Sequence, residues 1–512
     1  MLVKTYGCAV CGIDALKITI EVNIARGKKF FMVGLPDNAV KESWYRIAAA
    51  TTNIGFRIPV KRTTVNLAPA DIRKEGSAYD LPIAIGMLAA SGQINAENVG
   101  DYIIMGELAL DGELRSIKGG LSIALKALDA GFKGVILPEE NANEIAMVKG
   151  VEILVAKNLK QVIAFFNGHE VLNNCAENKA DLNMDNDPIF DLDFADVKGQ
   201  ENVKRGLEIA AAGGHNVILV GPPGSGKSML AKRMPTILPP LSLDEAMETT
   251  KIHSVAGTLG KNGGLITKRP FRAPHHTSSG AALVGGGSNP KPGEISLAHN
   301  GILFLDELPE FNRQVLEVMR QPIEDRTVTI SRAAISVDFP ANFMLVAAMN
   351  PSPSGDFYNP NQAHSDSEYA IHRYLNKISG PLLDRIDLHI EVNPVPYDTL
   401  AEKGERECSA DIRKRVLKAR LIQSERYGQQ EGIYANAQLT PFLQEKHCRI
   451  DQVGEALLRN AMQKFGLSAR TYSRIFKVAR TIADLEESAG IKGEHIAEAI
   501  QYRSLDRMGW QN

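Results

Sequence analysis

The stretch Gly221-Pro222-Pro223-Gly224-Ser225-Gly226-Lys227-Ser228 constrains this chain more than any other. It has the spacing Gly-x-x-x-x-Gly-Lys-Ser, follows the wholly apolar run Val217–Val220 and opens a helical run over 229–233. A buried strand, a glycine-rich turn and a helix N-terminus, in that order, form a phosphate cradle. The glycines let backbone N–H groups turn inward, and the helix dipole favours the anion. The expected fold is α/β around a parallel sheet. Lys227 is expected on the β- and γ-phosphates of ATP, and the Ser228 hydroxyl on Mg2+.

A site that hydrolyses ATP needs acid at the end of a second buried strand. Gly301-Ile-Leu-Phe-Leu-Asp306-Glu307 supplies it. Asp306 is expected to hold Mg2+ through its water shell and Glu307 to activate the attacking water as general base. The next apolar run, 343–349, ends in Asn350, a neutral amide able to orient that water without adding charge.

Length and composition set the surroundings. A chain of 512 residues implies roughly three domains. With 44% hydrophobic and 23% charged residues it has the composition of a globular protein. The net charge of −2 excludes a wholly basic nucleic-acid coat but not a local basic channel. No apolar run reaches the ~18 residues of a membrane span, and the first residues lack a signal-peptide pattern. Five cysteines make no disulfide framework, so a cytoplasmic location and no membrane partner are expected. Cys8 and Cys11 have metal spacing but no second ligand pair and read as buried thiols.

Residues 1–167 read as mixed α/β, with strands at Leu16, Ile18, Ile20, Val22, Ile24 and over 63–68, and helices over 81–91 and 123–130. The Asn/Asp-rich stretch 168–190 reads as a linker. Strands alternate with helices over 191–395, and 396–512 is helical and charged. A basic run from Arg406 to Arg426 reads equally as a solvated helix face or a DNA contact.

Longer motifs add a resemblance. Asp193-Phe-Ala-Asp-Val-Lys-Gly-Gln200, Phe271-Arg-Ala-Pro-His-His-Thr-Ser-Ser279, the segment 293–311, Ser379-Gly-Pro-Leu-Leu-Asp-Arg-Ile-Asp-Leu388 and Leu467-Ser-Ala-Arg470 together resemble the bacterial ComM/YifB family of magnesium-chelatase-like AAA+ proteins. The resemblance implies a P-loop parallel-sheet core with a C-terminal helical lid. It implies that Arg385 is an arginine finger given to a neighbouring subunit, Asn350 is sensor 1 and Arg470 is sensor 2. A hairpin over 327–338 would project into a ring's pore with Arg332 at its tip, a natural phosphate contact. The glycine-rich insert 257–292 would be a second pore element. His275 and His276 lack ligand partners at metal spacing.

The segment 106–121, with 130–141, resembles the proteolytic domain of Lon proteases, which implies a ribosomal S5-like fold. Where Lon-type domains carry a catalytic lysine this chain has Ser122, and the nucleophile spacing around Ser77 is absent. A protease fold without protease chemistry is expected. The chain as a whole is expected to be a homohexameric ATPase that translocates on branched, single- or double-stranded DNA junctions, with recombination proteins as partners. The alternatives are a metal-insertion chaperone, an ATP-gated scaffold and an ATP-dependent protease.

Overall fold

The computed structural model describes residues 1–175, 190–259, 263–287, 290–332, 336–355, 366–401, 406–428, 430 and 432–503. The front domain is built on one eight-stranded sheet. Its strands are β1 (Leu2–Cys11), β2 (Asp14–Ala25), β3 (Phe30–Val33), β4 (Arg62–Ala68), β5 (Tyr102–Ile104), β6 (Gly134–Pro138), β7 (Glu152–Ala156) and β8 (Asn173–Asn174), in the order β8-β7-β6-β5-β1-β2-β4-β3. The alternation seen in β2 buries Ile18, Ile20, Val22 and Ile24 on one face. Against that face lie α1 (Asp80–Ala90), buried at every residue, and α2 (Gly120–Asp129). The sheet takes in Asn173 and Asn174, which lie inside the stretch read as a linker. They pair antiparallel with β7, so the first domain extends further than its composition suggests.

The core sheet has five parallel strands: β9 (Val217–Val220), β10 (Phe271–Arg272), β11 (Ile302–Leu305), β14 (Met344–Met349) and β15 (Leu388–Glu391). Between β11 and β14 the chain forms the antiparallel hairpin β12 (Thr327–Ser331) and β13 (Ser336–Pro340). The sheet order is β10-β11-β14-β9-β15. Each strand is four to six residues long except β10, whose two residues sit within the insert 257–292. Part of that insert is thus sheet rather than pore loop. Helices α3 (Glu201–Gly213), α4 (Lys227–Arg233) and α5 (Leu243–Ala256) belong to this layer.

The lid consists mainly of α6 (Ser409–Tyr427), α7 (Gln452–Phe465), α8 (Ala469–Leu485) and α9 (Gly493–Gln501). Both α6 and α8 pack on α3. The basic run on α6 is spent on this packing. Arg415 binds Glu208 of α3 and Glu407 at 2.6 Å, Arg420 donates to the Ala211 carbonyl at 3.1 Å, and Arg426 forks onto Asp484 at 2.6 and 2.9 Å. Arg415 and Arg420 fasten the lid to the core and Arg426 joins two lid helices, so these three guanidiniums are engaged within the fold.

One buried carboxylate ties the two layers together. Asp387, just before β15, accepts from Arg474 of α8 at 2.7 Å and from the Asn216 backbone N–H at 3.1 Å, with His215 Nδ1 at 3.4 Å. Burial opposes its charge, but Arg474 and His215 overcome that and hold its pKa well below the usual carboxylate range. Burial depresses His215 in turn, so the ring is neutral at pH 7. Asp387→Asn leaves Arg474 without its charge partner and is expected to cost about 3–5 kcal/mol of unfolding free energy at pH 7, read by urea denaturation. A depressed carboxylate stabilises above its unfolded pKa, so the gap between variant and wild type should narrow as pH falls below about 4.

Candidate active site

The site grows from the ends of three core strands. In the parallel register Val220 of β9 lies beside Met349 of β14, and Leu305 of β11 beside Ala347 of β14. The next residues in each chain segment are Gly221, Asn350 and Asp306, so loop, amide and acid emerge on one edge of the sheet. Gly221 donates its N–H to the Met349 carbonyl at 3.2 Å, and a Cβ at that position would stand 2.1 Å from the Val392 carbonyl oxygen. Only glycine fits there. Gly224 and Gly226 hold φ of +76° and +94°, which turns the loop back over the start of α4.

The polar groups of the loop face one another. Lys227 Nζ donates to the carbonyls of Gly221 and Pro222 at 2.6 and 2.9 Å and to Asn350 Oδ1 at 3.1 Å. Burial lowers its pKa, and the nearby Asp306 opposes that shift. Ser228 Oγ donates to Asp306 Oδ2 at 2.7 Å. A hydroxyl and a carboxylate oxygen meeting beside a phosphate cradle are a suitable donor set for Mg2+. Glu307 takes a left-handed φ of +53° and points its exposed carboxylate into an open cleft shared with Asn350, Tyr374 and Lys377. Such a backbone is costly for a glutamate. Burial lifts the Tyr374 phenol to about 12, against an opposing backbone hydrogen bond at Asn350, so it stays protonated.

Two residues at this site carry no role in the sequence reading. Gln200, itself at φ +59°, donates from its amide to the Ser225 carbonyl at 2.9 Å and the Asn393 carbonyl at 3.0 Å, clamping the loop from outside. His276 places Nδ1 at 3.3 Å from Glu307 Oε2. The β10–β11 register explains this contact. Phe271 pairs with Ile302 and Arg272 with Leu303, so continuing the same offset sets His276 opposite Glu307. Its neighbour His275 bonds Thr277 instead.

The remaining expected residues lie elsewhere. Arg385 precedes β15, whose Leu388 pairs with Val217 at the far end of β9 from the loop. Its side chain is 6% exposed, ion-paired to Glu324 at 2.7 Å and donating to the Pro381 carbonyl at 2.6 Å. Arg470 is exposed on the first turn of α8 and makes no hydrogen bond or ion pair among the described residues. Arg332 is exposed at the hairpin tip, and its guanidinium lies against the glycine turn at Gly286. The hairpin and that part of the insert therefore lie against each other.

In the front domain the lysine–serine pair of a Lon-type protease is not assembled. Ser122 is buried and donates to the Ile13 carbonyl at 2.5 Å, while Ser77 donates to the Glu107 carboxylate. Lys126 turns outward to Asp129 at 2.7 Å. Lys118 shares a cavity of about 410 Å³ with Ser77, but its stem lies over Gly257. Cys8 is buried, with its thiol pushed up to about 12, and Cys11, three residues on in a strand, projects from the opposite face.

Glu307→Gln is expected to lower ATP turnover by about 10²–10⁴-fold while leaving ATP affinity unchanged, measured by phosphate release and by titration with a fluorescent nucleotide. Loss of affinity would assign Glu307 to binding instead. Ser77→Ala should leave turnover unaltered.

Comparison with known proteins agrees with this geometry. The profile described as "Magnesium chelatase, subunit ChlI" matches residues 193–400, that of "Subunit ChlI of Mg-chelatase" residues 20–141, and that of the ChlI C-terminal region residues 406–503. Competence protein ComM of Haemophilus influenzae is 46% identical over 99% of this chain and 98% of its own length. An uncharacterized protein of Salmonella typhimurium, YifB, is 46% identical over 98% of this chain and 96% of its own. Lon protease 2 of Bacillus subtilis is 28% identical over 31% of this chain and 33% of its own length. With relatives at this identity along almost the entire length, the chain belongs to the ComM/YifB group of magnesium-chelatase-like AAA+ proteins.

Proposed function

We propose that this chain is one subunit of a homohexameric, cytoplasmic, ATP-driven DNA translocase that migrates branched DNA during homologous recombination, as in natural transformation. The observation that carries the reading is the separation of Arg385 from its own phosphate loop by the length of β9. On this reading an arginine at that end of the sheet serves a neighbour's nucleotide, and head-to-tail contacts of this kind form a ring when the rotation between subunits closes. The name of the Haemophilus relative, a competence protein, supports the pathway.

In the proposed cycle Ser228 and Asp306 would hold Mg2+, which would supply positive charge to offset that of the phosphates. Glu307 accepts a proton from the attacking water, and Asn350 orients that water. Lys227 leaves its loop carbonyls for the phosphates. Arg385 of the adjacent subunit exchanges the Glu324 carboxylate for the γ-phosphate, a like-for-like swap of anions for a fork-shaped cation. Arg470 completes the lid side. The projection carrying Arg332 contacts DNA phosphates without reading sequence.

The second reading, a metal-insertion chaperone, is favoured by the magnesium-chelatase profiles. It lacks support from the sequence, which contains no Asp-x-Ser-x-Ser adhesion motif.

Arg385→Ala alone is expected to lower ATP turnover by about 10³–10⁵-fold. Mixed with Lys227→Ala subunits, which keep the arginine but lose the loop, it should recover part of the activity. No recovery would sink the shared-site ring. ATPase and branch migration measured with a Holliday junction, with forked DNA and with no DNA test the substrate. Stimulation by junctions is expected, and Arg332→Ala should reduce it. A rate and assembly state indifferent to DNA would favour the chaperone or scaffold.

A further inference from the structure

The front domain carries a charged patch that the nucleotide site does not use. Between Val22 and Pro36, and again between Ser43 and Ala70, the sequence contains no Asp or Glu. Those two stretches bring six exposed cations: Arg26, Lys28, Lys29, Arg57, Lys61 and Arg62. Topology collects them. β4 lies between β2 and β3, pairing antiparallel with one and parallel with the other. The connection from β2 to β3 must therefore cross the start of β4. Ala25 pairs with Arg62, the Thr63 N–H donates to the Lys29 carbonyl at 2.9 Å, and Gly27, at φ +128°, rides directly on the Arg62 side chain.

Nothing in the fold neutralises this cluster. Among the described residues none of the six is in an ion pair. Glu21, the nearest acid on β2, is taken by Lys4 and Asn66, and Asp37 caps a helix and accepts from Gly76. Clustered like charges without counter-ions oppose folding, and here they stand on a chain whose net charge is −2. Beside them runs β3, the last strand of the sheet. Phe31 and Val33 share its outward side, 41% and 47% exposed, and Leu35 follows at 56%. The Arg62 guanidinium sits 5.2 Å from the Phe31 ring centre.

We propose that this rim, Arg26, Lys28, Lys29, Arg57, Lys61 and Arg62 with Phe31, binds single-stranded DNA. The proposal rests on the reading above that DNA is the substrate, and adds a second contact on the front domain. The cations track the phosphates, and the aromatic and aliphatic surface receives bases that a duplex keeps stacked inside. In a branch-migrating ring such a rim would hold the displaced strand.

The test uses the full chain and a fluorescein-labelled oligo(dT), titrated by anisotropy at several salt concentrations. Lys28→Glu/Lys29→Glu/Arg62→Glu is expected to weaken binding about 10-fold or more at ~0.1 M salt, and to flatten the log–log salt slope by about 0.7 per lost phosphate contact. The milder Lys28→Gln/Lys29→Gln lies wholly in a surface loop and should show part of the same change. Phe31→Ala should weaken binding about 5-fold or more with the slope unaltered, the mark of lost stacking. ATPase without DNA should be unchanged in all three, since none of these residues touches the nucleotide loop. Wild-type affinity and slope in both charge variants would overturn the proposal while leaving the translocase reading intact. A wild-type chain that binds no DNA would overturn that reading as well. Equal losses on a blunt duplex would remove the single-strand assignment. Wild-type binding to phosphatidylglycerol vesicles, lost in the triple variant while oligo(dT) binding is kept, would assign the rim to membrane.

Discussion

Parallel pairing of five short strands is the constraint on which the rest of the core depends. Because β9, β11 and β14 run the same way and in fixed register, a phosphate loop, an acid pair and an amide that lie 44 to 129 positions apart in the chain leave the sheet on one edge (Gly221, Asp306 and Asn350). The same register brings His276 to Glu307 through the two-residue strand β10. It also sends Arg385 to the opposite edge. A parallel sheet keeps its strand starts and strand ends apart, so Arg385 stands a strand's length from the phosphate loop of its own chain, and the proposed sharing of a site between subunits rests on that separation.

The lid is held to the core, and its own helices to one another, by a few buried charges. Exposed ion pairs such as Lys418 with Glu487 at 3.4 Å contribute about 0–1 kcal/mol and set nothing. Buried ones differ: Asp387 and Asp484 are each fully enclosed and each anchors an arginine from the lid. Asn436 adds hydrogen bonds to Thr481 and Asp484 at 3.0 and 2.8 Å, closing a polar network inside an apolar cluster. A network satisfied at every member is stiff, and removing one member strands the others. Movement is then expected between whole layers rather than within the lid.

Much of this was legible in the sequence, and the reasons are local. The phosphate loop, β9, β11, β14 and the hairpin announce themselves through unbroken apolar runs or alternation, because each is buried or half-buried along its own length. What escaped depends on neighbours distant in the chain. Phe271–Arg272 is too short to show a period and becomes a strand only because β11 pairs with it. Gln200 and His276 meet their partners, Ser225 and Glu307, from other segments of the chain. Arg385 is flanked in sequence by Asp384 and Asp387, yet its ion-pair partner is Glu324, while Asp387 goes to Arg474. The basic run on α6 reads equally as a solvated face or a DNA contact in the sequence because two of its carboxylate partners, Glu208 and Asp484, belong to other helices. Charge patterning along one helix cannot show a partner on another.

The front domain makes sense as a brace once its contacts with the core are followed. Its β1–β2 turn, Cys11-Gly12-Ile13, packs on the cluster beneath the hairpin, and a Cβ on Gly12 would stand 2.8 Å from the Val337 side chain of β13. Cys11 serves there as a small apolar side chain, which accounts for a cysteine without any metal or redox partner. At a second point the Gly119 N–H donates to the Ser254 carbonyl at the end of α5, and the Lys118 stem covers Gly257 just beyond it. The Lys118 side chain thus contributes to the contact between the two domains. The Ser122 hydroxyl, bonded to Ile13, holds the same turn that supports the hairpin. A lysine at 122 would have to bring a charge into that buried contact, at a cost of several kcal/mol unless paired. Ser122, which stands where the Lon resemblance looks for a lysine, therefore helps to seat this domain on the core, and the hairpin bearing Arg332 rises from a base that the two domains build together.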